Sequence, residues 1–460
     1  MAPKFGTSGL RGLVTELKPE LVADHVRAFA AACDTGGTVC VGRDLRPSSP
    51  RIADDVIQAA AGMGLRVIDC GEVPTPALAL AARRHGAGAV MVTGSHIPAD
   101  RNGLKFYSAR GEITKADEQA ITAALGTAPA TDTGPAPEAD VEVGARFVER
   151  YVSACGAGAL AGRRIGLYTH SAVGRDLMAQ VFSGLGAEVI ELGRSETFIP
   201  VDTEAVDPEV RVQIANWVAE HRLDALVSTD GDSDRPLLAD EQGRIVPGDI
   251  LGQITAQALG ADTVVTPISS NSGVTEKGFG AVRRTQIGSP FVIAGMDEAG
   301  GKVVGYEANG GFLLGFAAQG PIGSFEPLPT RDCVLPLVMT LIAAQGGPVS
   351  ARIAQEPPVV TVADRLQEVP QERSRPVVAA LAEDAAARAD FLGALGGTES
   401  GVDLTDGVRM TMTDGRVVHV RPSGNAPELR LYVEAPDAEG ASALLEAGLA
   451  RLRSAVAAPA

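Results

Sequence analysis

The sequence predicts an α/β protein made of three successive strand–helix units and a smaller α+β unit at the C-terminal end. Three observations carry this. Short apolar runs alternate with helix-length stretches, and that rhythm starts three times along the chain. A Thr/Ala/Pro/acid tract from Thr127 to Asp140 interrupts it after the first round. Beyond Gln355-Glu356-Pro357-Pro358 the texture changes to residues alternating around an Asp-Gly turn.

The first unit opens with Phe5-Gly6-Thr7-Ser8-Gly9-Leu10-Arg11-Gly12, a glycine-rich loop whose amides and guanidinium could hold an anion. The strand Thr38–Gly42 follows, with the loop Arg43–Ser49 and a helix from Arg51 to Met63. A second strand, Arg66–Cys70, leads to a helix from Pro74 to His85. The run Ala87–Val92 is a third strand. Strands alternating with helices predict a mostly parallel sheet covered on both faces. In the second unit, Arg164–Tyr168, Glu188–Leu192 and Asp224–Ser228 read as strands, and Gly174–Leu185 as a helix. The third unit has the strands Thr263–Thr266, Ala281–Thr285 and Lys302–Gly305. Its helices are expected near Gly273–Phe279 and over Thr330–Ala344. In the last unit, Val408–Val420 is a hairpin around Asp414-Gly415. Leu429–Glu434 is a further strand, and Ala438–Val456 an amphipathic helix. These breaks divide the 460 residues into 1–143, 144–258, 259–360 and 361–460.

Composition narrows the function. Acidic residues outnumber basic ones 57 to 40, for a net charge of −17, which weighs against nucleic-acid binding through phosphate neutralisation. The five cysteines, Cys33, Cys40, Cys70, Cys155 and Cys333, are scattered without metal-site spacing and read as buried thiols. The start lacks the apolar core of a signal peptide, and no apolar run reaches about 18 residues, so a cytoplasmic protein off the membrane is expected.

Four loops carry the chemistry. Thr93-Gly94-Ser95-His96-Ile97-Pro98 follows an apolar strand, with Lys105 ten residues after Ser95; a Ser beside a His there is a candidate nucleophile or phosphoryl carrier. In Asp230-Gly231-Asp232-Ser233-Asp234-Arg235, three carboxylates alternate just past a strand. They repel unless a cation sits among them, and a hard divalent ion is the natural partner. A calcium loop is a rival, but Arg235 stands where that loop needs Gly. Arg235 could hold a phosphate beside the metal. Glu307-Ala308-Asn309-Gly310 offers a carboxylate and an amide, a set suited to vicinal sugar hydroxyls. Arg421-Pro422-Ser423-Gly424-Asn425 offers a guanidinium, a hydroxyl, an amide and loop N–H groups, a set suited to a phosphate dianion. The plain alternative for each is a solvated turn. Together they suggest phosphoryl transfer on a sugar phosphate, in a cleft lined by four domains.

These loops, in this order, resemble those of the α-D-phosphohexomutase superfamily, the phosphoglucomutase and phosphomannomutase enzymes. Residues 5–12 match the family's opening, and 230–235 match its metal loop in full. The serine loop is similar to Thr-Ala-Ser-His-Asn-Pro, with Gly94 and Ile97 substituted. The sugar loop is similar to Glu-Glu-Ser-Gly, with Ala308 and Asn309 substituted, and the last loop to Arg-Pro-Ser-Gly-Thr. The resemblance spans nearly the whole chain. It implies a heart-shaped, four-domain molecule: three related α/β domains with mixed sheets and a smaller, mobile α+β domain.

The resemblance also implies roles. Ser95 would carry a phosphoryl group and exchange it with a hexose phosphate through a hexose 1,6-bisphosphate, which is both intermediate and activator. One Mg²⁺ would be held by Asp230, Asp232, Asp234 and the Ser95 phosphate. His96 and Lys105 would be acid/base or positioning groups, and Arg11 a charge partner. Arg235, Glu307, Asn309, Arg421, Ser423, Gly424, Asn425 and Arg430 would bind substrate. The expected partners are small hexose phosphates, with no nucleic acid and no membrane, for a monomer or homodimer. Phosphoglucosamine mutases usually carry Ser at the position of Thr93 and Gln at that of Ala308, so that branch is disfavoured. The sugar loop and the last loop look most like bacterial phosphomannomutases. A glucose or dual-specificity mutase is the near alternative; a metal-dependent sugar-phosphate phosphatase and a non-catalytic binder are the distant ones.

Overall fold

The computed structural model describes residues 3–6, 9–128, 134–423 and 427–457. They form two compact units. The first comprises residues 1–265 and 288–353, and the second comprises 266–287 and 354–460.

The first unit contains three mixed α/β sheets. In the first sheet the strand order is Lys4–Phe5, Leu10–Leu13, Arg101–Ser108, Gly88–Val92, Thr38–Arg43, Arg66–Glu72 and Glu138–Ala139. The central strands Thr38–Arg43 and Gly88–Val92 are parallel and almost wholly buried, as apolar runs covered on both faces should be. The second sheet runs Glu188–Leu192, Arg164–Tyr168, Ala225–Thr229, Pro236–Asp240, Ile245–Val246. The third runs Thr263–Pro267, Val303–Tyr306, Phe312–Leu314, Leu328–Asp332.

The sheets are not mostly parallel. Each parallel set ends in a strand that turns back on its neighbour. Arg101–Ser108 is antiparallel to Gly88–Val92, Pro236–Asp240 to Ala225–Thr229, and Phe312–Leu314 to Val303–Tyr306. Lys105 therefore lies in a strand, not in the serine loop. Two expected helices differ as well. Thr330 and Arg331 belong to the strand Leu328–Asp332, and the helix starts at Val334, where the Asp332 carboxylate accepts the amides of Val334 and Leu335. The helix expected near Gly273 is a single 3₁₀ turn, Ser272–Glu276.

The second unit holds a five-stranded antiparallel sheet in the order Val360–Leu366, Leu429–Ala435, Val417–Pro422, Val408–Met412, Glu399–Asp403. Helices Gln371–Glu383, Ala385–Ala394 and Ala438–Ala457 cover one face, around Met410, Val418, Leu431, Phe391 and Leu444. Within this unit the Ile268 amide donates to the Thr285 carbonyl of the strand Ala281–Thr285.

One topological position recurs. Three of the four loops read from the sequence join a strand to its antiparallel neighbour, 93–100, 230–235 and 307–311, and the strands Val417–Pro422 and Leu429–Ala435 that flank the fourth are antiparallel too. The sheet thus delivers the polar groups of those three loops at a strand end, fixed on both sides by ladder hydrogen bonds.

Candidate active site

Ser95 leaves its strand in the left-handed backbone region, with φ 55°, and is fully buried. An L-residue there is strained and persists only when its surroundings hold it. Arg46 does the holding. Its Nη1 donates to the carbonyls of Pro98 and Arg101, at 2.8 and 3.0 Å, and its Nη2 to those of Ser95 and Ile97, at 2.9 and 2.6 Å. Its Nε donates to Asp44 at 3.2 Å, so all five guanidinium donors are engaged. Asp44 in turn accepts the hydroxyls of Ser49 and Thr93, and Thr93 Oγ1 accepts the Ser95 amide. A Cβ on residue 94 would come within 2.6 Å of Arg46 Cζ. That contact gives Gly94 a physical reason where the resembling motif has Ala.

The Ser95 hydroxyl donates to Asp230 Oδ2 at 2.6 Å and lies 3.3 Å from His96 Nδ1. The carboxylates of Asp230, Asp232 and Asp234 are buried, with a ligand atom from each within 4.8 Å of the others. Ser233 between them is also left-handed, with φ 54°. Lys105 Nζ lies 2.5 Å from both Asp232 Oδ2 and Asp234 Oδ2; Thr75 donates to Asp232, and Arg331 pairs with Asp234 at 2.8 Å. Burial and its two acidic neighbours push the Asp230 carboxyl well above the usual range, with Arg235 and Lys105 offsetting part of the shift. Burial also opposes charge on Asp232, but the charge and hydrogen bond of Lys105, helped by Thr75 and Arg331, hold it below that range. Asp234 is likewise held low, mainly by Arg331 against burial.

Asp232 Oδ1 and Asp234 Oδ1 are buried without a hydrogen-bond partner among the described residues. Such orphaned carboxylate oxygens, beside Asp230 and Ser95, are a donor set that fits a hard divalent cation.

Arg235 and Arg331 extend the site. Arg235 Nη1 donates to His96 Nδ1 at 3.0 Å. Arg331 also pairs with Glu307 at 3.2 Å, tying the sugar loop to the acidic loop. Arg11 lies opposite Gly103 in the strand that carries Lys105, and burial, then the charges of Arg235 and Arg331, pull it down to about 10. Burial, then the Arg235 charge, pushes His96 down to about 3, so the imidazole is neutral. Asn309 Oδ1 accepts the Gly311 amide at 3.0 Å, so the loop engages the amide oxygen.

In the second unit, Arg421 donates to Asp406 at 3.1 Å and Arg430 to Glu428 at 3.2 Å. Arg365, Arg430 and Arg421 stand in register across three strands. Like charges directly opposed destabilise a sheet unless something negative joins them, and Glu428 pairs with two of the three. Ser423 is buried beside them, and its amide donates to the Glu428 carbonyl. Gly424 and Asn425 lie outside the described residues.

The models for phosphoglucomutase/phosphomannomutase alpha/beta/alpha domains I, II and III match residues 2–131, 145–243 and 247–359, and that for the C-terminal domain matches 366–449. The chain belongs to the phosphoglucomutase/phosphomannomutase family. A phosphomannomutase of Sinorhizobium fredii is 46% identical over 472 residues, covering 99% of both chains. One of Salmonella muenchen is 41% identical over 463 residues, covering 98% of this chain and 95% of its own. The crystal structure of a phosphoglucomutase/phosphomannomutase family protein from Burkholderia thailandensis superposes with a TM-score of 0.79 at 21% identity, covering 99% and 98% of the two chains.

For this phosphoglucomutase/phosphomannomutase family member, the first unit brings together Ser95, His96, Lys105, Arg11, the three aspartates, Arg235, Glu307 and Asn309. Sequence reasoning missed Arg46, Asp44, Thr75 and Arg331. Arg46 and Asp44 stood in a loop already noted. Arg331 had no local signal, because a lone arginine at a strand end gains meaning only from the acids opposite it.

Proposed function

We propose that the chain is a phosphomannomutase, interconverting mannose 1-phosphate and mannose 6-phosphate through a phosphoryl group carried on Ser95 and a hexose 1,6-bisphosphate. The observation that carries this is the Ser95 hydroxyl, fully buried and 2.6 Å from Asp230 within a cluster of three carboxylates. The two phosphomannomutases at 46% and 41% identity support mannose as the sugar.

In this reading Asp230, Asp232 and Asp234, with Ser95, hold Mg²⁺, which supplies charge neutralisation for the phosphoryl group. Arg46 and Asp44 fix the carrier loop. Lys105, Arg235 and Arg11 place cations around the transferring group, where charge develops in the transition state. Glu307 accepts a sugar hydroxyl, and Asn309, whose oxygen is engaged by the loop, donates through its NH₂. Arg421, Ser423 and Arg430, with Gly424 and Asn425, hold the phosphate that is not being transferred. The setting is the cytoplasm, where the five free cysteines stay reduced.

The test is turnover with Mg²⁺ and a trace of hexose 1,6-bisphosphate, comparing kcat/KM for mannose 1-phosphate, glucose 1-phosphate and glucosamine 1-phosphate. Mannose 1-phosphate is expected to lead, and Ser95→Ala to abolish turnover with the melting temperature kept. Release of free phosphate as the main product would make the chain a phosphatase. Full activity in Ser95→Ala would end the carrier assignment.

A further inference from the structure

We propose that Asp202 is a positioning residue of the phosphoryl-transfer site, setting the tautomer of His96 and through it the direction of Arg235. The inference rests on the mutase reading above.

Asp202 lies in the irregular segment between the strand Glu188–Leu192 and the helix Pro208–His221. Two contacts, through Phe198 and Thr203, tie that segment to the serine-loop clamp and the sugar loop, and a third, through Ile199, anchors it to the turn after the strand Arg164–Tyr168. The Phe198 ring sits 4.1 Å from the Arg46 guanidinium, the same group that clamps the serine loop. The Ile199 amide donates to Ser171 Oγ at 2.7 Å. Thr203 Oγ1 donates to the Asn309 carbonyl of the sugar loop at 3.3 Å. The segment is therefore a brace between the serine loop and the sugar loop.

Within the brace, Asp202 is pre-oriented. Its Oδ1 accepts the amides of Glu204 and Ala205, at 3.0 and 3.4 Å. That leaves Oδ2, 4.0 Å from His96 Nε2. The other ring nitrogen, Nδ1, faces Arg235 Nη1 at 3.0 Å. A guanidinium has donors and no acceptor, so this contact forms when Nδ1 carries the lone pair and the ring proton sits on Nε2, facing Asp202. At 4.0 Å the carboxylate acts on that N–H as a charge, favouring this tautomer over the reverse.

Two consequences follow for His96. Its Nδ1 lone pair is committed to Arg235, while the Ser95 hydroxyl donates its hydrogen bond to Asp230 at 2.6 Å. His96 is thus a neutral spacer that holds Arg235 beside Ser95, not the base that takes the serine proton. Asp202 acts one step further out and touches no reacting atom.

The test uses the full chain with nitrogen-15-labelled histidine. The His96 signal is assigned among the six histidines by its loss in His96→Gln. At neutral pH the unaltered chain should show the Nε2–H tautomer, and Asp202→Ala should shift His96 toward a mixture. Asp202→Asn, which can still accept the loop amides through its oxygen, should do the same with the melting temperature kept. In turnover, both variants should lose kcat by about 10- to 100-fold with KM nearly unchanged, and Asp202→Glu should recover part of it. An Nδ1–H tautomer in the unaltered chain, or a tautomer indifferent to Asp202, overturns the proposal. A kcat loss that only follows the melting temperature does so too. The tautomer is read with or without turnover, so a chain inactive on all three hexose 1-phosphates would sink the mutase reading and leave this result standing.

Discussion

Ser95 shows how much of a site can rest on one distant side chain. Its type and place, a hydroxyl at a strand exit beside a histidine, were legible in the sequence. The arginine that keeps its backbone left-handed was not, since nothing local to Arg46 distinguishes it from other loop arginines. The same contact makes a sharp prediction at residue 94. Gly94→Ala puts a methyl within 2.6 Å of Arg46 Cζ, although Ala stands there in the motif this loop resembles. Overpacking of this kind costs roughly 1–3 kcal/mol. Gly94→Ala should lower the melting temperature by several degrees and kcat by at least tenfold; unchanged values would show that Arg46 yields freely.

At the scale of elements, what counts is the turn-back strand. The apolar strands leading into each loop were readable as buried runs, and the loops as Gly, Pro and Asx clusters. The strands leading out of the first three were harder. Arg101–Ser108 begins Arg-Asn-Gly, reads as loop, and becomes a strand only by pairing with Leu10–Leu13 and Gly88–Val92. That pairing carries Lys105 under the acidic loop. The loop 230–235 then holds three carboxylates, two with an oxygen that has no hydrogen-bond partner among the described residues. Mg²⁺ at saturating concentration should raise the melting temperature, since a ligand at 100 times its Kd stabilises by roughly 2.7 kcal/mol. Asp234→Asn should abolish that shift while keeping the fold. A shift equal to that of the unaltered chain would remove Asp234 from the ligand set.

Across the whole molecule, burial keeps two histidines outside the serine and acidic loops uncharged. His170 in the first unit and His419 in the second are each pushed down to about 4 from 6.5, mainly by desolvation. The unfolded chain therefore takes up these protons first. The stability each contributes is complete above about pH 6.5 and drains away as pH falls toward about 4, by roughly 2 kcal/mol per histidine at about pH 5. Urea midpoints should fall between about pH 7 and pH 5, and fall less in His170→Gln; an unchanged or rising midpoint would refute it. Division into successive strand–helix stretches was legible at this scale because composition and periodicity change together. The brace around Asp202 was not, because irregular segments have no period to read.

The clamp on the serine loop has one further consequence. With four carbonyls tied to a single guanidinium, the arm bearing Ser95 is a fixed post. In the mutase reading, a sugar served at both ends by a post that does not swing has to change ends itself, so its freedom to turn while still held, rather than any travel of the protein's own nucleophile, sets what the second half of the reaction demands.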